Sequence, residues 1–397
     1  MRILLVSDGY PPASGGLEAH VRRLARHLFE VGHELAVVTA NGGKSEGDPW
    51  EVVPSSTWLA RVPAFHQQTA RRLPPPLPDP TMVRTIARVS ENLGPAVIHA
   101  HGWCAASASV VARRRDLPLV VTLHDYGMLC PMRTLLNDGQ MCNHTASVRC
   151  IRCPGSDQSP AKRLALAAGI RLNQKNWSIA SRYLAVSRAV ADIHRAAGVA
   201  GPIEVVPNFI DEPDTPVIPP PKCGTILFVG PESEVKGLDV LLEAHRLLID
   251  RGRAVTLHHV GGSVLQQDKY IIRSGRLHGS DLDSAFRSSR VVVIPSTWQE
   301  PCPTVALEAM AAGRAVIASE VGGLIDIVKD GLTGMLVPPN NPIALAETLD
   351  AVIDDTKRLE EMGRAGRMRL KQFSTTTIGP LIEEAYESAI RAWQTGG

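Results

Sequence analysis

Two carboxylates, Glu300 and Glu308, stand eight positions apart in the stretch QEPCPTVALEAMAAGRAVIASEVGG, Gln299–Gly323. Pro303 lies between them. Proline suits the first turn of a helix, where an amide hydrogen would be unpaired anyway. The amides of Thr304, Val305 and Ala306 would then open that helix as donors at its positive end. Such an end takes an anion, and a diphosphate suits it. A carboxylate accepts two hydrogen bonds from vicinal hydroxyls. Glu300 just outside the helix and Glu308 inside it therefore suit a sugar and a ribose, with phosphates between them. The plainer reading is one loop acid and one ordinary helix acid.

Other stretches carry chemistry of the same kind. In FVGPESEVKGLDVLLEA (Phe228–Ala244), Lys236 stands before a helix and can neutralise a diphosphate as a point charge. In GYPPASGGLEAH (Gly9–His20), Gly15 and Gly16 precede a helix and let backbone approach a phosphate or a sugar. In VVTLHDYGMLC (Val120–Cys130), His124 ends a strand, where it can hydrogen-bond a hydroxyl or orient an acceptor, with Asp125 beside it. VIHAHGW ends another strand: His101 reads as an acceptor contact and His99 as structural. Cys130, Cys142, Cys150 and Cys153 fall within 24 residues, spaced C-x11-C-x7-C-x2-C. Two readings stand for them: a closed tetrahedral zinc site, with His144 able to replace one ligand, or four reduced thiols packing a loop.

Something must hold these residues in place. The chain has 397 residues, enough for two domains. Short apolar runs alternate with helical patterns. In the first half the runs are Ile3–Ser7, Leu35–Thr39, Val97–Ala100, Leu119–Leu123, Tyr183–Val186 and Ile203–Val206. In the second half they are Ile226–Val229, Val255–His259, Val291–Ile294, Ala315–Ala318 and Gly334–Val337. Buried strands alternating with helices predict parallel sheets covered on both faces. Pro207–Gly224 holds six prolines and no helical period, and reads as a linker. Two doubly wound domains bind ligands at the carboxyl ends of their strands.

Composition excludes some classes. With 42 basic and 40 acidic residues the net charge is +2, which argues against a dedicated nucleic-acid binder. No window holds 18 uninterrupted apolar residues and the start is not a signal peptide, so a cytoplasmic chain is expected. Its seven cysteines are expected as thiols or metal ligands rather than disulfides.

These blocks carry a resemblance. Glu300–Ala318 resembles the E-x7-E signature of the retaining glycosyltransferases of family 4, which have the GT-B fold. Val321–Val337, the first 28 residues and VVPNFID at the junction continue the match over nearly the whole chain. The resemblance implies two Rossmann-like α/β domains. These are an acceptor-side domain (1–206, with a cysteine-rich insert at 125–160), a linker (207–224), a nucleotide-sugar domain (225–375), and a final helix (376–397) crossing back to the first. It implies transfer of a hexosyl group from a nucleotide-diphosphate sugar to an acceptor nucleophile. The transfer retains configuration and uses no catalytic metal or other cofactor.

By the same resemblance, His124, Lys236 and Glu300 serve the reaction. Glu300 contacts the donor hexose and Glu308 the ribose. Gly16, Lys236, Thr304 and Val305 serve the diphosphate; beside the resemblance, Gly15 and Ser233 are read with them from their positions, His101 as an acceptor contact, and Asp125 as an acceptor contact or helper base. A subset of the family has a similar insert, which makes the four cysteines a structural clip, with zinc as its candidate ion. The chain departs from the family at Pro303, where many relatives have glycine. It departs again at Pro231-Glu232, where most carry an arginine. A phosphorylase, a nucleotide-sugar epimerase and a catalytically impaired sugar-nucleotide-binding subunit are the alternatives. The resemblance leaves room for peripheral membrane association, and the oligomeric state is open.

Overall fold

A computed structural model describes residues 1–13, 15–62, 74–137, 139–142, 145–153, 158–222, 224–263 and 268–395. The chain divides into two compact units, Met1–Asn208 with Thr375–Gly397, and Phe209–Ser374.

The first unit runs β1 (Arg2–Ser7), α1 (Gly16–Glu30), β2 (Glu34–Thr39), β3 (Glu51–Pro54), α2 (Pro80–Leu93), β4 (Val97–His101), α3 (Ala105–Arg115) and β5 (Leu119–Leu123). After the hairpin β6 (Leu136–Asn137) and β7 (Gln140–Met141) come α4 (Pro160–Trp177), β8 (Arg182–Ala185), α5 (Arg188–Ala196) and β9 (Ile203–Val205). Its seven-stranded sheet has the order β3-β2-β1-β4-β5-β8-β9 and is parallel throughout. Strands β4 and β5 are buried along their whole length, as strands covered on both faces must be.

The second unit runs β10 (Thr225–Val229), α6 (Leu238–Asp250), β11 (Thr256–Val260), β12 (Ile271–Ser274), α7 (Gly279–Ser288), β13 (Val291–Ile294), α8 (Thr304–Ala311) and β14 (Ala315–Ser319). It ends with α9 (Leu324–Ile327), β15 (Gly334–Val337), α10 (Pro342–Val352) and α11 (Thr356–Arg369). Its parallel sheet has the order β12-β11-β10-β13-β14-β15. One core joins Ile226, Phe228, Leu241 and Leu248 to Val291, Ile317, Leu345 and Leu349. In each sheet the strand order reverses beside the first strand, between β1 and β4 and between β10 and β13. Ligand crevices open at the carboxyl ends of the strands at such points.

The proline-rich segment is no free tether. Residues 209–222 belong to the second unit, and arginines of that unit hold their carbonyls. Arg314 donates to Ile218 O at 2.9 Å and Arg290 to Pro221 O at 2.6 Å, while Arg367 donates to Pro213 O. Prolines leave a segment few amides of its own to pair, so its carbonyls depend on donors from elsewhere.

The last helix, α12 (Thr375–Gln394), belongs to the first unit. Ile378, Gly379, Ile382, Ala385, Tyr386 and Ala389 form its buried stripe. Tyr386 Oη lies 2.7 Å from His99 Nδ1, and His27 and His33 each place Nε2 2.9 Å from a Glu383 oxygen. Gly379 makes this approach feasible, since a Cβ there would sit 2.2 Å from His27 Nε2. Gly379→Ala is therefore expected to lower stability by about 1–3 kcal/mol, as overpacking does. A thermal or urea midpoint equal to wild type would refute the close packing.

Candidate active site

In the second unit, the loop after β13 carries Glu300 and the loop after β10 carries Lys236. Glu300 is 4% exposed, and a carboxylate so buried needs partners. Lys236 Nζ donates to Oε1 at 2.8 Å and to Oε2 at 2.9 Å. Ser296 Oγ and Trp298 Nε1 each donate to Oε2 at 2.8 Å. The two loops are also laced together, as Thr297 N donates to Val235 O at 3.1 Å and Thr297 Oγ1 to Glu234 O at 2.9 Å.

Glycines allow this convergence. Gly237 (φ +69°) follows Lys236, and a Cβ there would lie 1.9 Å from Pro295 O. Gly322 (φ +53°) presses on the Glu300 peptide, where a Cβ would lie 2.2 Å from Glu300 O. Gly323 N donates to Glu300 O at 2.7 Å, and Gly322 N to Gln299 Oε1 at 3.0 Å. The Gly-Gly turn after β14 thus buttresses the acid.

Pro303 caps α8 in an extended conformation with no side-chain cap. The structure corrects the expected donor set here. The Ala306 amide donates to Pro303 O at 3.1 Å, so Thr304 and Val305 carry the amides that open the helix. Glu308 is half-buried one turn further along α8. Ser233 accepts the Lys236 amide at 3.0 Å. At the position of the missing arginine, Glu232 accepts from Arg273 Nη1 at 2.9 Å and from Ser263 Oγ at 3.1 Å.

In the first unit, β4 and β5 end in a histidine cluster. His99 is spanned by Tyr386 Oη and Thr122 Oγ1, each at 2.7 Å. His101 Nδ1 lies 3.0 Å from His124 Nε2, and the His20 ring from α1 stands edge-on to His124, centroids 4.7 Å apart. Burial, reinforced by neighbouring charge, pulls the pKa of His20, His99 and His101 well below 6.5 and that of His124 to about 3. All four are neutral at physiological pH.

Asp125, next to His124, has partners of its own. It accepts from Gly127 N at 2.7 Å and from Arg133 Nε at 2.8 Å. Arg133 also reaches Asp8 at 3.5 Å and lies 5.1 Å from the centre of the Trp103 ring. Asp8 is buried after β1, accepting the amides of Trp103 at 2.9 Å and Cys104 at 2.7 Å. Neither Asp8 nor Arg133 stands out in the sequence, since their partners are distant along the chain. Gly15 precedes α1 in an extended conformation, and a Cβ on Gly16 would meet nothing within 4 Å, so its backbone stays approachable.

Cys130, Cys142, Cys150 and Cys153 line one cavity of about 240 Å³, along with Arg149, Arg152 and Arg163. None of the four is in a disulfide, and His144 lies outside the described residues. Among the described residues, the group of three whose ligand atoms all lie within 4.8 Å of one another is His20, His101 and His124 rather than the cysteines. A second cavity, of about 600 Å³, lies between the insert and α5 and is lined by Leu129, Leu135, Met141 and Ile193 among others. Among the described residues no helix is long and apolar enough to cross a membrane.

Comparison with known proteins gives this arrangement its class, a glycosyltransferase. Residues 14–212 match the family described as Glycosyltransferase Family 4, and residues 223–355 match Glycosyl transferases group 1. A glycogen synthase of Mycobacterium tuberculosis is 27% identical, over 98% of this chain and 95% of that one. A D-inositol 3-phosphate glycosyltransferase of Xylanimonas cellulosilytica is 27% identical, over 95% and 93%. HepE of Anabaena, solved in complex with UDP-glucose, superposes with a TM-score of 0.71 at 18% identity, over 98% and 100%. The chain belongs to glycosyltransferase family 4, and its two parallel-sheet units are those of the GT-B fold.

The Glu300 loop depends on the Gly322 contact. Gly322→Ala is expected to displace that loop and lower turnover by roughly a hundredfold, as ångström-scale misplacement does. Far-UV circular dichroism is expected to be unchanged. Near-normal turnover would show that the turn does not position the acid.

Proposed function

We propose that this enzyme transfers a hexosyl group from a nucleotide-diphosphate sugar to a hydroxyl or other nucleophile, with retention at the anomeric carbon. The observation that carries this reading is the Lys236–Glu300 pair beside the start of α8. The pair joins a cation to a buried acid at the mouth of a helix that favours anions. On donor binding, Lys236 turns from Glu300 to the diphosphate, and the freed lone pairs of Glu300 accept from sugar hydroxyls. Ser296 and Trp298 hold the carboxylate in place meanwhile. Glu308, on the same helix, accepts from the ribose. The UDP-glucose bound by HepE supports a donor of this class.

In the transfer, the bond between the anomeric carbon and the phosphate oxygen breaks, and the nucleoside diphosphate takes the electron pair. Lys236 and the amides of Thr304 and Val305 stabilise that charge. The acceptor oxygen bonds to the same face of the carbon and gives its proton to the departing phosphate oxygen. No protein nucleophile is required. His124, neutral through burial, serves as a hydrogen-bonding partner for the sugar and His101 as its support.

The acceptor is a glycan, a lipid-linked sugar or a small natural product. We read the cysteine insert as the clip that shapes this choice, since its thiols gather around one cavity and a larger apolar cavity adjoins it.

A panel of nucleotide sugars scored by thermal shift identifies the donor, because a ligand that binds the folded state raises its apparent stability. With that donor, Glu300→Gln is expected to abolish most turnover and to leave nucleoside diphosphate affinity near wild type. Glu308→Ala is expected to weaken that affinity. The opposite pattern would reverse the two roles. Lys236→Ala is expected to slow the chemical step by about 10²–10³-fold, the worth of one electrostatic donor in such a site. A loss below about tenfold would assign the leaving-group charge to another cation.

A further inference from the structure

We infer that His101 is a positioning residue that fixes the tautomer of His124, so that His124 meets the substrate with a proton on Nδ1 and acts there as a hydrogen-bond donor. The consequence for substrate rests on the role proposed for His124 above. The tautomer itself can be read with no substrate present.

The two side chains come from paired strands. His101 stands opposite Thr122 in the register of β4 and β5, and His124 is the residue after β5. His101 Nδ1 lies 3.0 Å from His124 Nε2, so one proton lies between them. A neutral imidazole has one N–H and one bare nitrogen, and the bond made by one nitrogen decides the state of the other. Two arrangements follow. If His101 Nδ1–H donates, His101 Nε2 is bare, and His124 accepts through Nε2 and keeps its proton on Nδ1. If His124 Nε2–H donates instead, His101 holds its proton on Nε2 and His124 Nδ1 is bare.

The deciding atom is His101 Nε2. His101 is fully buried, and this nitrogen has no hydrogen-bond partner among the described residues. The first arrangement leaves a lone pair there. The second leaves a buried N–H with no acceptor, which is the rarer defect in folded proteins. Doubly protonated rings are opposed by burial, which holds both histidines neutral. The His101 ring is backed by His99, centroids 4.1 Å apart, and His99 is itself pinned by Tyr386 and Thr122. His124 is only half-buried, and its Nδ1 has no partner among the described residues. That nitrogen is the one left for a ligand.

A donor at this point recognises an oxygen by its lone pair, as in a sugar hydroxyl. A ligand group with donors alone, such as an ammonium, finds no acceptor on His124.

The test is long-range proton–nitrogen correlation NMR on full-length protein labelled with nitrogen-15 in histidine, which reports the protonated nitrogen of each ring. His124→Asn assigns the signals by removing one set. Wild type near neutral pH is expected to show His124 protonated on Nδ1 and bare on Nε2. His101→Asn offers a side-chain amide in place of the Nδ1 donor and is expected to keep this pattern. His101→Leu offers none and is expected to release His124 to the Nε2–H form. Turnover in His101→Leu is expected to fall about tenfold, the worth of one hydrogen bond, with His101→Asn retaining more of it. A proton on His124 Nε2 in wild type, alone or with one on Nδ1, overturns the proposal. So does a His124 tautomer unchanged in His101→Leu. Should that variant fold poorly, the spectra of wild type and His101→Asn decide by themselves. Full turnover in Glu300→Gln and Lys236→Ala would sink the transfer reading and leave the tautomer standing.

Discussion

A buried carboxylate has to be satisfied on every side, and Glu300 shows how much structure that requires. Burying such a group without partners costs far more than one contact returns. Lys236, Ser296 and Trp298 supply the donors. To bring them there, two loops from neighbouring strands must touch, and a third must press on the Glu300 peptide from behind. Each contact rests on a glycine in the left-handed region, Gly237 for the first and Gly322 for the second. The strand order makes the loops neighbours, because β10 and β13 lie side by side at the reversal point. The ion pair is thus the end of a chain of constraints that begins with sheet topology.

The two units meet the same demand differently. In the second, charge is kept and paired. In the first, the polar groups at the strand ends are mostly histidines, and burial removes their charge. A neutral imidazole donates through one nitrogen and accepts through the other, so His99 bridges Thr122 and Tyr386 without a counterion. The exception is the pairing of Arg133 with Asp125 and Asp8, which carries charge from the insert to the ends of β5 and β1.

Much of the architecture was legible because buried parallel strands are short, apolar and separated by helical patterns. β3 and β12 were not among the expected strands. Each is four residues long, lies at a sheet edge and has too few apolar positions to register as a run. Helix α11 was hidden by its polarity and its glycines. Gly363 faces inward, where a Cβ would sit 2.1 Å from Gly313 O, so its value lies in having no side chain. The motif residues Lys236 and Glu300 could be named from local context. Their mutual bond could not, because 64 positions separate them. Arg273 under Glu232 was out of reach for the same reason, as were the arginines beneath the proline-rich segment. Long polar side chains choose partners by position in space, which local spacing does not encode.

The placement of α12 bears on how the chain is made. The second unit is one continuous stretch, Phe209–Ser374, whereas the first needs residues on both sides of it. Domains generally fold as units during synthesis, N-terminal parts first. Here the order is partly inverted. Until Tyr386 emerges from the ribosome, His99 lacks one of its two partners, and the groove that receives Ile378, Ile382 and Ala389 stays uncovered. The unit synthesised first is the one completed last, and for the time it takes to make more than 160 further residues its apolar groove depends on the surrounding cell to stay out of unwanted company.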